Sequence, residues 1–245
     1  MAARRPRRAS SALAPGDVPR VQRSVAARVL AGAMRITKLE HATLVVDQGG
    51  HRLVIDPGSL TNPILGLEGV QVIVITHEHA DHWTPDQLRR ILEINRNVVI
   101  FGPEGVARAA EDFDVVAVHP GETHDYGDFV LKFFGGRHAV IHPSIPVIDN
   151  VGVLVNNRLY YPGDSFFVPE DIQVETLAVP AGAPWMKISE AMDYVTAVAP
   201  KRAFPTHDGV LSAAGKALAN DRLRAVTEAA GGQYYPLASG DWIDV

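Results

Sequence analysis

Residues 70–82 read Val70-Gln71-Val72-Ile73-Val74-Ile75-Thr76-His77-Glu78-His79-Ala80-Asp81-His82. The first six are apolar but for one glutamine, and they form the pattern of a buried strand. The polar cluster follows where that strand stops. Thr84-Pro85-Asp86-Gln87 comes next and reads as a helix start, with Thr84 as N-cap, Pro85 at the first helical position and Gln87 closing a capping box. The cluster therefore occupies a strand-to-helix loop at the carboxyl end of a strand. Open α/β sheets bind their ligands at that position.

Six consecutive positions, 77–82, hold three histidines, Glu78 and Asp81. Neutral imidazole and carboxylate together suit zinc, manganese or iron. Two histidines at i and i+2 just past a strand end can reach one ion. Asp81 and His82 lie beyond the bend and can face a second. The plainer alternative is a loop that is merely polar. Solvation alone does not explain three imidazoles so close together with an acid between them.

His77-x-His79-x-Asp81-His82 resembles the HxHxDH signature of the metallo-β-lactamase-fold hydrolases. The resemblance extends over nearly all of the chain from Met34 onward, because further motifs follow in the family's order. It implies an α/β fold, a four-layer αββα sandwich; periodicity alone gives only mixed α and β. His138 follows the strand predicted over 129–134 and matches the family's third metal histidine, with His142 as a rival four residues on. Asp164, in Pro162-Gly163-Asp164-Ser165, matches the aspartate that bridges two ions. His207, in Thr206-His207-Asp208, matches the last metal histidine.

The resemblance thus implies two sites. His77, His79 and His138 would hold one ion, and Asp81, His82 and His207 the other, with Asp164 and a hydroxide bridging. Two zinc ions per chain are expected, manganese or iron being possible on the same donors. Asp81 has a second expected role in catalysis, helping to move a proton. Asp56, in Asp56-Pro57-Gly58, either lies near the metals or caps a turn. His41 reads as a packed, hydrogen-bonded histidine close to the site. Asp208 is a candidate to orient a ligand. Trp185, in Pro180-Ala181-Gly182-Ala183-Pro184-Trp185, either lines a substrate pocket or packs in the core.

The chain has 245 residues and no cysteine, so any metal must be held by nitrogen and oxygen. Residues 1–33 carry seven arginines and one acid, a net of +6, and taking +6 from the chain total of −5 leaves −11 for residues 34–245. The acidic part gives no support for a nucleic-acid footprint. Residues 1–33 read as a basic, disordered leader, and 34–245 as one metallo-β-lactamase-fold domain. The leader lacks the uninterrupted apolar run of a secretory signal, Val25-Ala26-Ala27 being broken by Arg28. No stretch approaches a membrane span. The expected location is cytoplasmic and the expected partner a small-molecule substrate.

The compact form resembles the branch of the family that includes ascorbate-6-phosphate lactonase and phospholipase-D-like hydrolases. The expected activity is binuclear metal-dependent hydrolysis of a small ester, lactone or phosphodiester. Two alternatives stand beside it: an iron-dependent redox enzyme on the same ligands, and a metal-binding protein without turnover. Metal identity separates the first alternative from the hydrolase.

Overall fold

Successive side chains of the strands go in turn to an inner core and to an outer layer under the helices, and that alternation builds the layers. The computed structural model describes residues 32–245; of the basic leader, all but Gly32 and Ala33 lies outside the described residues. The first sheet contains β1 (Met34–Lys38), β2 (Leu44–Gln48), β3 (His51–Ile55), β4 (Val70–Val74), β5 (Val99–Gly102) and β6 (Val115–Ala117), joined at its edge by β14 (Trp242–Asp244). Its order is β14-β1-β2-β3-β4-β5-β6. The second sheet contains β7 (Thr123–Tyr126), β8 (Phe129–Arg137), β9 (Asp149–Val155), β10 (Leu159–Tyr161), β11 (Thr176–Pro180), β12 (Arg202–Thr206) and β13 (Gln233–Tyr234), in the order β13-β12-β11-β10-β9-β8-β7.

Met34, Ile36, Leu44, Val46, Leu53 and Ile55 point inward and meet Phe129, Leu131, Phe133, Val151, Val153 and Val155 of the second sheet. Each such side chain contributes roughly 1.5–3 kcal/mol on burial. A one-residue slip of β8 would turn Phe129, Leu131 and Phe133 off the core together, so the register is firmly set. The outward residues Val54, Ile73 and Ile75 pack under α1 (Pro85–Ile94) and α2 (Glu104–Ala109) through Leu88, Ile91 and Val106. Leu154, Tyr160, Leu177 and Val179 pack under α3 (Ile188–Val198) and α4 (Ala213–Ala229) through Tyr194, Val195 and Leu223. The result is the αββα sandwich.

Three details differ from the sequence reading. The chain passes from the first sheet to the second between Ala117 and Thr123, a crossing that periodicity does not mark, and β14 returns to pair with β1. The edge strand β7 is a polar stretch, Thr123-His124-Asp125-Tyr126, with no buried residue, so no apolar alternation marks it. The capping box at α1 is only half formed. Thr84 accepts from the Gln87 amide, but the Gln87 side chain turns inward instead. Its Nε2 donates to the carbonyls of Thr61 and Asn62, and its Oε1 accepts from the Ile64 amide. Gln87 is buried, so its amide must be satisfied there, and the neighbouring loop has unpaired backbone groups to satisfy it.

Candidate metal centre

Four strand ends meet at one rim of the sandwich. The loop after β4 brings His77, His79, Asp81 and His82. His138 follows β8 directly, Asp164 follows β10 and His207 follows β12. All seven residues implied by the resemblance converge. Three groups emerge whose donor atoms lie within 4.8 Å of one another: His77, His79 and His138; His41, Asp81, His82 and His207; and His77, His82 and Asp164. His142 does not join them. It is exposed, with Nδ1 paired to Ser144 Oγ at 2.7 Å.

Four of the five rings are oriented through the nitrogen that points away from the centre. His138 Nδ1 donates to the Ala139 carbonyl at 2.6 Å, and His207 Nδ1 to the Gly182 carbonyl at 2.8 Å. His82 Nδ1 donates to Asp56 Oδ2 at 2.7 Å. His77 Nδ1 lies 3.1 Å from Thr76 Oγ1, whose own proton goes to Asp56 Oδ2 at 2.7 Å. A ring that donates through Nδ1 presents Nε2 to the centre. His77 Nε2 and His79 Nδ1 stand 3.1 Å apart. Two nitrogens on one zinc at about 2.0–2.1 Å would be roughly 3.3 Å apart, so this spacing suits a shared ion.

The inward atoms provide the test of fit. Nε2 of His82, His138 and His207, together with Asp164 Oδ1, are buried without a hydrogen-bond partner. Buried polar atoms are rarely left so, and four facing one another call for an ion. Asp164 Oδ2 lies 3.3 Å from His138 Nε2 and 3.2 Å from His207 Nε2, while Oδ1 lies 3.2 Å from His82 Nε2. The donor set of imidazoles and carboxylates fits divalent zinc, manganese or iron.

Electrostatics favour a cation as well. Burial opposes the charge of Asp164, yet His82 and His207 hold its carboxyl well below the carboxylate range. Burial also opposes ionisation of Asp81, which the neighbouring imidazoles of His207 and His41 overcome. Burial works against charge on His82 and His207 too, but Asp164, aided by Asp56 and Asp81 respectively, raises both; His207 is pushed up to about 9. Burial pushes His77 well down and His79 down. The buried carboxylate of Asp164 and the half-buried one of Asp81 thus call for compensating positive charge, which metal cations supply.

The residues left open by sequence find places. Asp56 is fully buried, with Oδ1 accepting from the Thr76 amide at 2.7 Å, and it orients His82 besides ending β3. His41 accepts from the Gly209 amide through Nδ1 at 3.0 Å. Its Nε2 therefore carries the proton and donates to Asp81 Oδ2 at 3.1 Å. Asp208 turns away from the centre to Lys38 Nζ, 3.1 Å, and Lys216 Nζ, 3.4 Å. Asn150 had no sequence signal. Its Oδ1 accepts from the Asp164 amide and its Nδ2 donates to the Pro162 carbonyl, which fixes the turn carrying Asp164. Asp56, His41 and His207 all have positive φ, +49°, +56° and +53°, so backbone strain is held at the site itself.

Residues 35–207 match the model of the beta-lactamase superfamily domain. The chain is 40% identical over 200 residues to the protein Rv0786c of Mycobacterium tuberculosis, covering 79% of this chain and 93% of that one. A UPF0173 metal-dependent hydrolase of Aeropyrum pernix is 28% identical over 205 residues, 71% of this chain and 82% of the other. Among solved structures, Igni18, a metallo hydrolase from Ignicoccus hospitalis, superposes with a TM-score of 0.65 at 17% identity, over 87% of this chain and 98% of that one. CmlA, a diiron β-hydroxylase from Streptomyces venezuelae, gives 0.62 at 17% identity, over 87% of this chain and 54% of its own.

Proposed function

The chain belongs to the beta-lactamase superfamily, and from that kinship we propose that this metal-dependent hydrolase works with two ions on a small ester, lactone or phosphodiester. The observation that carries the two-ion reading is the set of four buried, unpartnered donors on His82, His138, His207 and Asp164. His77, His79 and His138 would hold one ion; Asp81, His82 and His207 would hold the other. Asp164 would serve both. Zinc is the first choice for a set so rich in imidazole. When bound, the ions supply Lewis acidity toward a substrate oxygen and lower the pKa of a water from 15.7 to about 7.

The chain's own residues set the conditions for that chemistry. Asp56, Thr76 and the carbonyls of Ala139 and Gly182 hold four imidazoles in the tautomer that faces inward. Asp81 is the most solvent-open carboxylate of the set, its side chain 31% exposed against 4% for Asp164. It is the group placed to pass a proton between the centre and solvent. His41, through its Nε2 proton, keeps Asp81 turned toward His207. The net −11 of residues 34–245 repels a long polyanion. A small substrate needs only the local field of the ions.

The test is a panel of a phosphodiester, phosphomonoester, lactone, carboxyl ester, β-lactam and thioester, each with zinc, manganese or iron. Turnover of one small substrate should vanish with chelator and return with metal, and His79→Ala and Asp164→Ala should abolish it. Oxygen consumption by an iron-loaded sample with no hydrolysis would overturn the proposal in favour of redox chemistry.

A further inference from the structure

The indole of Trp185 has no part in the scheme above. Trp185 lies in the segment 181–187 between β11 and α3 and is buried. Its Nε1 donates to Asp164 Oδ2 at 2.7 Å. Its ring stands edge-on to Phe166 at 5.0 Å, and lies 6.1 Å from the His138 ring and 6.4 Å from the His207 ring. It therefore touches the shared carboxylate and flanks one imidazole from each proposed trio. We infer that Trp185 is a positioning residue for Asp164, whose carboxylate it holds facing both trios. The inference rests on the two-ion reading.

An indole nitrogen only donates, and a carboxylate oxygen has two lone pairs. With Nε1 on one of them, Oδ2 keeps a single lone pair for a metal. Oδ1 keeps both, and it is buried without a partner, 3.2 Å from His82 Nε2. A carboxylate free to turn about its Cβ–Cγ bond could face one trio only. The indole opposes that turn, which would break a charge-assisted bond and leave a buried N–H unpaired. Oδ1 then stays beside His82, and Oδ2 between His138 and His207, 3.3 and 3.2 Å away.

The indole is itself firmly placed. The Ala181 amide donates to the Thr206 carbonyl at 2.9 Å and the Met186 amide to the Ala183 carbonyl at 3.3 Å. Gly182, in the same segment, accepts from His207 Nδ1. One short segment thus orients His207 through its backbone and Asp164 through a side chain.

Trp185→Phe keeps an aromatic ring beside Phe166 and removes only the donor. Zinc binding is read by competition with a chromophoric chelator, with no substrate present. The wild-type chain should bind two ions. The variant should hold the first within about twofold and lose affinity for the second by about tenfold or more, roughly 1.4 kcal/mol. In an Asp164→Asn background, Trp185→Phe should add nothing, because the effect runs through the carboxylate. Two ions bound by the variant with wild-type affinities would overturn the inference; one ion in the wild-type chain would sink the two-ion reading instead. If the variant does not fold, wild-type protein labelled with 15N-indole decides, its three tryptophan signals assigned with Trp83→Phe and Trp242→Phe. The Trp185 indole proton should stay protected from exchange in the zinc-loaded chain. Exchange as fast as that of Trp242, which is 50% exposed, would overturn the inference.

Discussion

Asp56→Asn changes one atom, yet it should remove the second ion. Both oxygens of Asp56 only accept. Oδ1 takes the Thr76 amide, and Oδ2 takes the Thr76 hydroxyl and His82 Nδ1. An asparagine amide has one oxygen and one NH2, so either orientation sets a donor against a donor. Backbone strain does not confuse the result, because asparagine tolerates the positive φ of +49° at this position. His82 would then have to shift its proton to Nε2, the nitrogen that faces the centre, or turn its ring. Loss of such an orienting partner typically costs 10–100-fold in metal affinity. The buried His82–Asp56 pair is broken as well, which costs about 3 kcal/mol in the chelated protein. For a chain of this size that lowers the melting temperature by roughly 6–12 °C. Zinc titration against a chelator and thermal melts with and without metal are the assays. Two ions bound within twofold of wild-type affinity would refute the reasoning, since His82 would then be oriented by something else.

Three further outcomes are expected. His138→Ala should lose metal and activity together, whereas His142→Ala should keep its metal; the reverse pattern, read by elemental analysis after dialysis, would move the ligand to His142. In chelated protein His207 titrates at about 9, above the ordinary 6.5. A raised pKa gives stability fully present below pH 6.5 and lost as pH rises through about 9, here 2.5 pH units or on the order of 3 kcal/mol; melts from pH 6 to 9.5 should show the decline, and a flat profile would contradict it. Gly58→Ala would drive a Cβ into the backbone of Asp81, where no side chain can yield. The expected result is a loss of at least about 1–3 kcal/mol and of the ion held by Asp81 and His82, with the His77–His79–His138 trio intact; unchanged metal content would show that the loop moves freely.

Strand β4 and the loop that carries most of the site were legible because their signal is local. A buried strand, four polar residues in a fixed spacing and a Thr-Pro helix start lie within 18 residues. His138, Asp164 and His207 were legible only as strand ends arriving in a known order. His41 was legible as a packed, hydrogen-bonded histidine, but the partners of Asp56 and His41 were not, because they lie far along the chain: His82 for the one, Asp81 and the Gly209 amide for the other. Gln87 misled for the opposite reason. Its local capping pattern was complete, but the carbonyls of Thr61 and Asn62 take its side chain instead. The return of β14 to β1 has no local signal at all; packing of Ile243 against the inner core and the contacts of Arg35 with Trp242 and Asp244 hold it there.

The proposed ligands come from both sheets: His77, His79, Asp81 and His82 from the first, His138, Asp164 and His207 from the second. An ion held between them is a rivet across the sandwich as well as a reagent. His77 and His207 lie 130 positions apart, so this rivet cannot close until both sheets have formed and docked. Metal would then speed refolding little and slow unfolding greatly, because its bonds belong to the native side of the barrier. Resistance to proteolysis should follow metal loading for the same reason, and ion release should report the moment at which the two sheets part.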